Sequence, residues 1–133
     1  MKTNIDSLSS QAPHNPLLDP VALQRLEGLG LFVGATWAWL ALGGPWWLIP
    51  ALFLLPDLSM LGYLGGPRLG AALYNLVHSY ALGGAVLALG LLLQAPPLGF
   101  AGLLLLLHSG ADRALGYGLK LPDGFRNTHL GRL

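Results

Sequence analysis

Four side chains able to bind a metal or move a proton stand out in a largely apolar chain: Asp57, His78, His108 and Asp112. His108 and Asp112 are four residues apart, so a helix puts both on one face. Two imidazoles and two carboxylates from facing helices make a ligand set for Zn, Mn or Fe(II). With four protein ligands such a site is closed and structural. With three ligands and a water it is catalytic, because the ion lowers the pKa of the water. A second reading is open on the same residues. They form a set of paired polar groups, with Asp112 paired to Arg113 or Arg68 and the histidines bonded to carbonyls or to Asp57. Asn75 lies one turn before His78 and is placed to orient it. Arg68 or Arg113 could hold a phosphate or carboxylate. His129 either folds back to cap the site or belongs to a basic segment lying on anionic lipid.

The elements that must position these groups follow from composition. The chain has 133 residues, 53% of them apolar and 10% charged. A soluble domain carries roughly 25% charged residues. A chain this short cannot bury so much apolar surface against itself. The surplus must face lipid. There is no cysteine, which excludes disulfides, thiolate ligands and a thiol nucleophile. A formal net charge of +1 gives no electrostatic footprint for nucleic acid. Residues 1–19 are polar, lack the charged start and apolar core of a signal peptide, and are expected to form a flexible tail.

No charged residue occurs between Arg68 and Asp112. As one helix this stretch would run about 65 Å, roughly twice a bilayer core. It must fold back, and Pro96-Pro97 is the strong breaker near its middle. Gly43-Gly44-Pro45 divides the first half in the same way, and Gly65-Gly66-Pro67 closes the next turn. Asp19 suits an N-cap and Pro20 a first helical position. These signals predict an all-α, integral membrane four-helix bundle with spans near 20–43, 46–64, 69–94 and 97–119. Residues 20–120 form the domain and 121–133 a basic interfacial tail. Trp46 and Trp47 fit an interfacial aromatic belt. All seven basic residues, Lys2, Arg25, Arg68, Arg113, Lys120, Arg126 and Arg132, fall on or toward the side of the N-terminus. Positive residues stay inside, so both termini are expected in the cytoplasm and the chain in the inner (plasma) membrane.

Depth then links the spans to the chemistry. Asp57 lies about 13 Å and His78 about 18 Å from the turn at Gly66. Measured from Pro97, Asp112 and His78 lie about 22 and 27 Å away. The four groups are expected to converge, since an ionised group alone in lipid costs at least ~2.5–3.5 kcal/mol.

Several runs carry a resemblance. They are Leu54 to Tyr63, Gly66-Pro67-Arg68, Gly70 to His78, His108 to Lys120, and Thr128 to Arg132. Together, over roughly residues 22–132, they resemble the small bacterial membrane proteins catalogued as domain of unknown function four-two-six-zero. The resemblance implies a membrane protein and no assigned activity. Its recurring positions match Asp57, Arg68, Asn75, His78, His108, Asp112, Arg113 and His129. A looser similarity, in the order Pro56-Asp57, His78-Ser79 and His108 to Asp112, is to membrane-bound metal-dependent hydrolases. Ser59 stands where their first motif has a second carboxylate, which argues against two metals.

Three functions follow as expectations. The first is a metal-dependent membrane hydrolase acting on a lipid or amphiphilic ester. The second is a non-catalytic accessory protein whose polar cluster locks the bundle. The third is proton or ion passage along that cluster.

Overall fold

The computed structural model describes residues 19–133, so the expected tail, apart from Asp19, lies outside the described residues. Helix α1 spans Pro20–Ala41. Asp19 opens it, its carboxylate accepting from the Val21 N–H at 3.0 Å, and Pro20 loses nothing at a position whose N–H has no helical partner. Gly43, at φ +79°, turns the chain. The Trp39 indole donates to the Pro45 carbonyl at 3.0 Å and ties the turn to the helix.

The expected helix over 46–64 is not regular. A short α2, Leu48–Leu52, runs into a 3₁₀ helix, Pro56–Gly65. Pro56 has no N–H to offer Leu52, and its ring crowds that carbonyl. The chain tightens to three-residue bonds instead: Leu55 to Leu52 at 2.9 Å, Asp57 to Leu54 at 3.1 Å, Leu58 to Leu55 at 3.2 Å. A 3₁₀ helix rises ~2.0 Å per residue, so the segment gains length for the same number of residues.

The expected span over 69–94 is two helices, α3 at Pro67–Val77 and α4 at Tyr80–Leu92, bent by 44°. Ser79 makes the break. Its hydroxyl accepts from the Leu82 N–H at 3.2 Å and donates to the Leu76 carbonyl at 2.9 Å. Serine competes for backbone groups in this way, which favours a cap over a helix interior. The break falls beside His78.

Helix α5, Pro96–Leu115, stops short of the expected residue 119. Gly116 takes the left-handed conformation at φ +96°, and the Tyr117 N–H returns to the Asp112 carbonyl at 2.8 Å. This is a glycine C-cap, which ends the helix whatever the hydropathy beyond it.

Helix α5 is the hub. It packs on α1 and α4, while the 3₁₀ helix packs on α3. Ala35, Trp39, Leu103, Leu104, Leu106 and Leu107 form the buried core. At Gly28 and Gly110 the two backbones touch. A Cβ on Gly28 would lie 2.8 Å from the Gly110 carbonyl, and one on Gly110 would lie 2.8 Å from that of Gly28.

Residues after α5 double back over the bundle end. They carry a two-stranded antiparallel hairpin, β1 at Asn127–Thr128 and β2 at Gly131–Arg132. Lys120 bridges to Thr128. The fold is otherwise helical.

Two helical runs are long and apolar enough to cross a membrane, Leu48–Gly65 and Pro96–Leu115, with a third if α3 and α4 count as one bent span. Helix α1 has 22 residues but is not among them. Gln24, Arg25 and Glu27 dilute its first turns. Leu54 and Leu55, just before the 3₁₀ helix, and Leu58, Leu61 and Leu64 within it are all exposed, an apolar surface suited to lipid.

Candidate metal centre

Three structural devices bring the four residues to the same point. The 3₁₀ winding after Pro56 presents Asp57. The α3–α4 break presents His78, the last residue of its turn. One face of α5 presents His108 and Asp112. One ligand atom from each lies within 4.8 Å of the other three.

The pairwise distances are His78 Nε2 to His108 Nε2 at 3.1 Å, and His78 Nε2 to Asp57 Oδ1 at 3.3 Å. His108 Nε2 lies 3.4 Å from Asp57 Oδ1. Asp112 Oδ2 lies 3.7 Å from each Nε2. Ligands held at ~2.0–2.2 Å in a tetrahedron are separated by roughly 3.3–3.6 Å. These five separations are close to those of a first-row metal shell, and the two carboxylate oxygens lie within 4.8 Å of each other.

With both rings neutral and both carboxylates ionised, the available protons do not satisfy every one of these contacts. His78 Nδ1 lies 2.9 Å from the Tyr74 carbonyl. A carbonyl only accepts, so Nδ1 carries the proton and Nε2 of the neutral ring presents a lone pair. That lone pair faces carboxylate oxygens and a second imidazole. His108 can supply one N–H, and the remaining contacts set lone pair against lone pair. A cation at the centre resolves them together.

The surroundings orient the ligands. Tyr74 donates its hydroxyl to Asp112 Oδ2 at 3.0 Å, and its ring stacks on His78 with centroids 3.7 Å apart. Such outer contacts fix ring and carboxylate orientation in metal sites. His108 is less well supported. Its Nδ1 is buried with no hydrogen-bond partner among the described residues, and its ring centroid lies 4.9 Å from that of Phe53.

The site is closed on one side and open on the other. The histidine side chains are 0% and 1% exposed, while those of Asp57 and Asp112 are 25% and 15% exposed. The carboxylates line a cavity of about 220 Å³ together with Tyr74, Lys120 and Phe125.

The supporting residues lie elsewhere than expected. Asn75 does not orient His78. Its amide grips the Lys120 backbone, accepting from the N–H at 2.6 Å and donating to the carbonyl at 2.8 Å. Arg113 does not pair with Asp112, because consecutive helical residues point about 100° apart. It is buried and donates to the Tyr117 and His78 carbonyls. Arg68 is exposed at the start of α3. His129 is not at the cluster. Its Nδ1 accepts from the Leu119 N–H at 2.7 Å, and its Nε2 meets Gln24 at 2.9 Å. Burial lowers its pKa below the ordinary histidine value, and the Arg113 charge lowers it further.

With this geometry in hand, comparison with known families is direct. The family described as Domain of unknown function (DUF4260) matches residues 21–133. The chain belongs to the DUF4260 family. No curated protein and no solved structure matches it.

Two residues of this DUF4260 chain went unnoticed in the sequence. Tyr74 is not singled out there, although its position one turn before His78 already placed it on the same face. Lys120 reads as one positive charge among several. It is buried, its ammonium 4.1 Å from the Phe125 ring centroid and 5.2 Å from that of Tyr74. No local signal marks it, because its position depends on the fold-back after Gly116.

Proposed function

We propose that this protein is a multi-pass membrane protein holding one divalent ion on Asp57, His78, His108 and Asp112, and that it hydrolyses an ester of a lipid or amphiphile. The observation that carries the reading is the convergence of four ligand atoms, all within 4.8 Å of one another, beside a cavity that their carboxylates line. Catalytic metal sites keep such an open side. When bound, the ion would supply Lewis acidity at the ester. The chain's own groups hold and aim it: the Tyr74 carbonyl sets the His78 tautomer, the Tyr74 hydroxyl orients Asp112, and Arg113 clamps the His78 carbonyl. The motif order shared with membrane-bound metal-dependent hydrolases supports the same reaction class, as analogy.

The reading includes four crossings with both termini in the cytoplasm. The Arg25 guanidinium donates to the Ala114 carbonyl at 3.0 Å, so the start of α1 meets the end of α5. The basic residues of these two ends therefore share one side of the bundle, as the positive-inside rule expects. A reporter fused after Leu133 should act in the cytoplasm and one inserted at 43–46 outside; the reverse would undo the topology.

A second reading has its own observation. The four groups also contact one another directly, as a bundle lock would. Elemental analysis of detergent-purified protein separates the two. About one zinc, manganese or iron per chain, absent from His78→Ala, supports the metal centre. A protein grown with all three metals that carries none is the accessory protein.

A further inference from the structure

We propose that the cavity beside the cluster is a phosphate-ester site, in which the Lys120 ammonium and the ion at the cluster grip one tetrahedral oxyanion between them. The inference rests on the metal-centre reading above and names the class of molecule that centre takes.

Its first support is a charge left without a partner. Lys120 is 4% exposed and lines the cavity. Among the described residues no hydrogen bond or ion pair reaches its ammonium; its contacts are the faces of Phe125 and Tyr74. A buried ammonium is costly unless it is compensated, and a pair of aromatic faces compensates it only in part. The Asn75 amide fixes the Lys120 backbone at both its N–H and its carbonyl. The side chain is thus presented to the cavity from a held position.

Its second support is the balance of charge. Asp57 and Asp112 stand on one wall and Lys120 on another. A divalent ion cancels the two carboxylates, and Lys120 then becomes the uncompensated charge of the cavity. The metal-loaded site therefore attracts an anion. Lysine binds phosphate as a point charge, and a tetrahedral oxyanion can offer separate oxygens to two cations.

Its third support is the shape of the wall. At about 220 Å³ the cavity has room for a headgroup, and Met60, Phe125 and Leu133 give it an apolar border. An aliphatic group attached to the phosphate would lie along that border. The phosphate chemistry is common to a soluble phosphate monoester and to a phospholipid such as phosphatidic acid.

The experiment uses full-length protein in phosphatidylcholine nanodiscs, loaded with Mn²⁺. Manganese occupancy is read by electron paramagnetic resonance. Paramagnetic broadening of ³¹P signals reads approach of phosphate to the ion. Inorganic phosphate is titrated in one arm, and phosphatidic acid is doped into the disc in the other. Broadening of either probe that weakens at least tenfold in Lys120→Gln, and returns in Lys120→Arg, at unchanged manganese occupancy, supports the site. The arm that broadens identifies the soluble or the lipid source. Manganese that binds while neither probe is broadened, or equal broadening in Lys120→Gln, overturns the phosphate site and leaves the metal centre standing. Wild-type protein that takes no manganese, zinc or iron overturns both. Occupancy doubles as the folding control, because a misfolded Lys120→Gln would lose its ion; if it does, broadening that also fails to return in Lys120→Arg overturns the assignment.

Discussion

Asp112 and Arg113 are neighbours in sequence and face two different clefts. On the Asp112 side lies the cluster cavity, with Asp57, Lys120 and the two histidines behind the carboxylates. On the Arg113 side lies a cleft of about 250 Å³ bordered by Gln24, Glu27, Ser79, Tyr80 and His129. Both contain buried polar groups. In the second, Arg113 donates to two carbonyls and His129 bonds at both ring nitrogens, so these groups are satisfied by the chain itself. In the first, imidazole and carboxylate lone pairs converge, and an ammonium in the same cavity touches aromatic faces with no hydrogen bond or ion pair among the described residues. The difference separates a structural joint from a site that is completed by something else. Counting polar groups would rank the two clefts alike; counting donors against acceptors does not.

The comparison breaks most sharply at His78. His78→Ala should abolish retained metal, at least a hundredfold in affinity, since outer-shell losses alone cost 10–100-fold. Metal content by elemental analysis checks this. If His129→Ala lowers it as much, the two clefts are not distinct.

Arg113→Met should act on stability. It leaves the Tyr117 and His78 carbonyls without their charged donor, a loss of about 2–4 kcal/mol for hydrogen bonds to a charged group. Thermal unfolding in detergent should show the lower midpoint. An unchanged midpoint would mean that the second cleft is not a joint.

Tyr74→Phe sharpens the first cleft. It removes the hydroxyl bonded to Asp112 and keeps the ring stacked on His78. Metal affinity should fall about tenfold, and stability should change little. Competition with a chromophoric chelator measures it.

The smallest effect is a pH dependence of the joint. His129 is neutral when it accepts from Leu119, and burial holds its folded pKa below the ordinary value of 6.5. The unfolded chain therefore takes up the proton first. The contribution of His129 is complete above about pH 7 and is lost as pH falls below 6.5 toward the folded pKa; because the residue is exposed, solvent keeps it small. The protection factor of the Leu119 amide, with the intrinsic pH dependence of exchange divided out, should fall from pH 7.5 to 5.5. His129→Gln should flatten that response.

Much of this was written locally. The Asp19-Pro20 cap, the Gly43 turn and the Pro96 start of α5 are chemical signals read within a few residues, and each acts where it is read. The pairing of His108 with Asp112 is fixed by helical period alone. Asp57 and His78 meet for a reason only partly legible: α-helical rise put Asp57 about 13 Å from Gly66, whereas the 3₁₀ rise of ~2.0 Å per residue puts it about 18 Å away, level with His78.

Other features depended on contacts between distant residues. Pro56 announces a break, but whether the chain bends or tightens into a 3₁₀ helix is decided by packing on α3. Ser79, by contrast, bonds Leu76 and Leu82, three residues away on either side, so its cap is local; it was missed because the unbroken apolar run over 69–94 reads as one helix. Asn75 could reach His78 along its own helix, yet it meets Lys120 across 45 residues, where two strong backbone bonds outweigh one local contact. The partners of Arg113, His129 and Lys120 were hidden for the same reason. Each sits near the end of α5 or in the chain beyond it. There a single left-handed glycine, Gly116, turns the backbone, and the direction of every later side chain follows from where that turn docks.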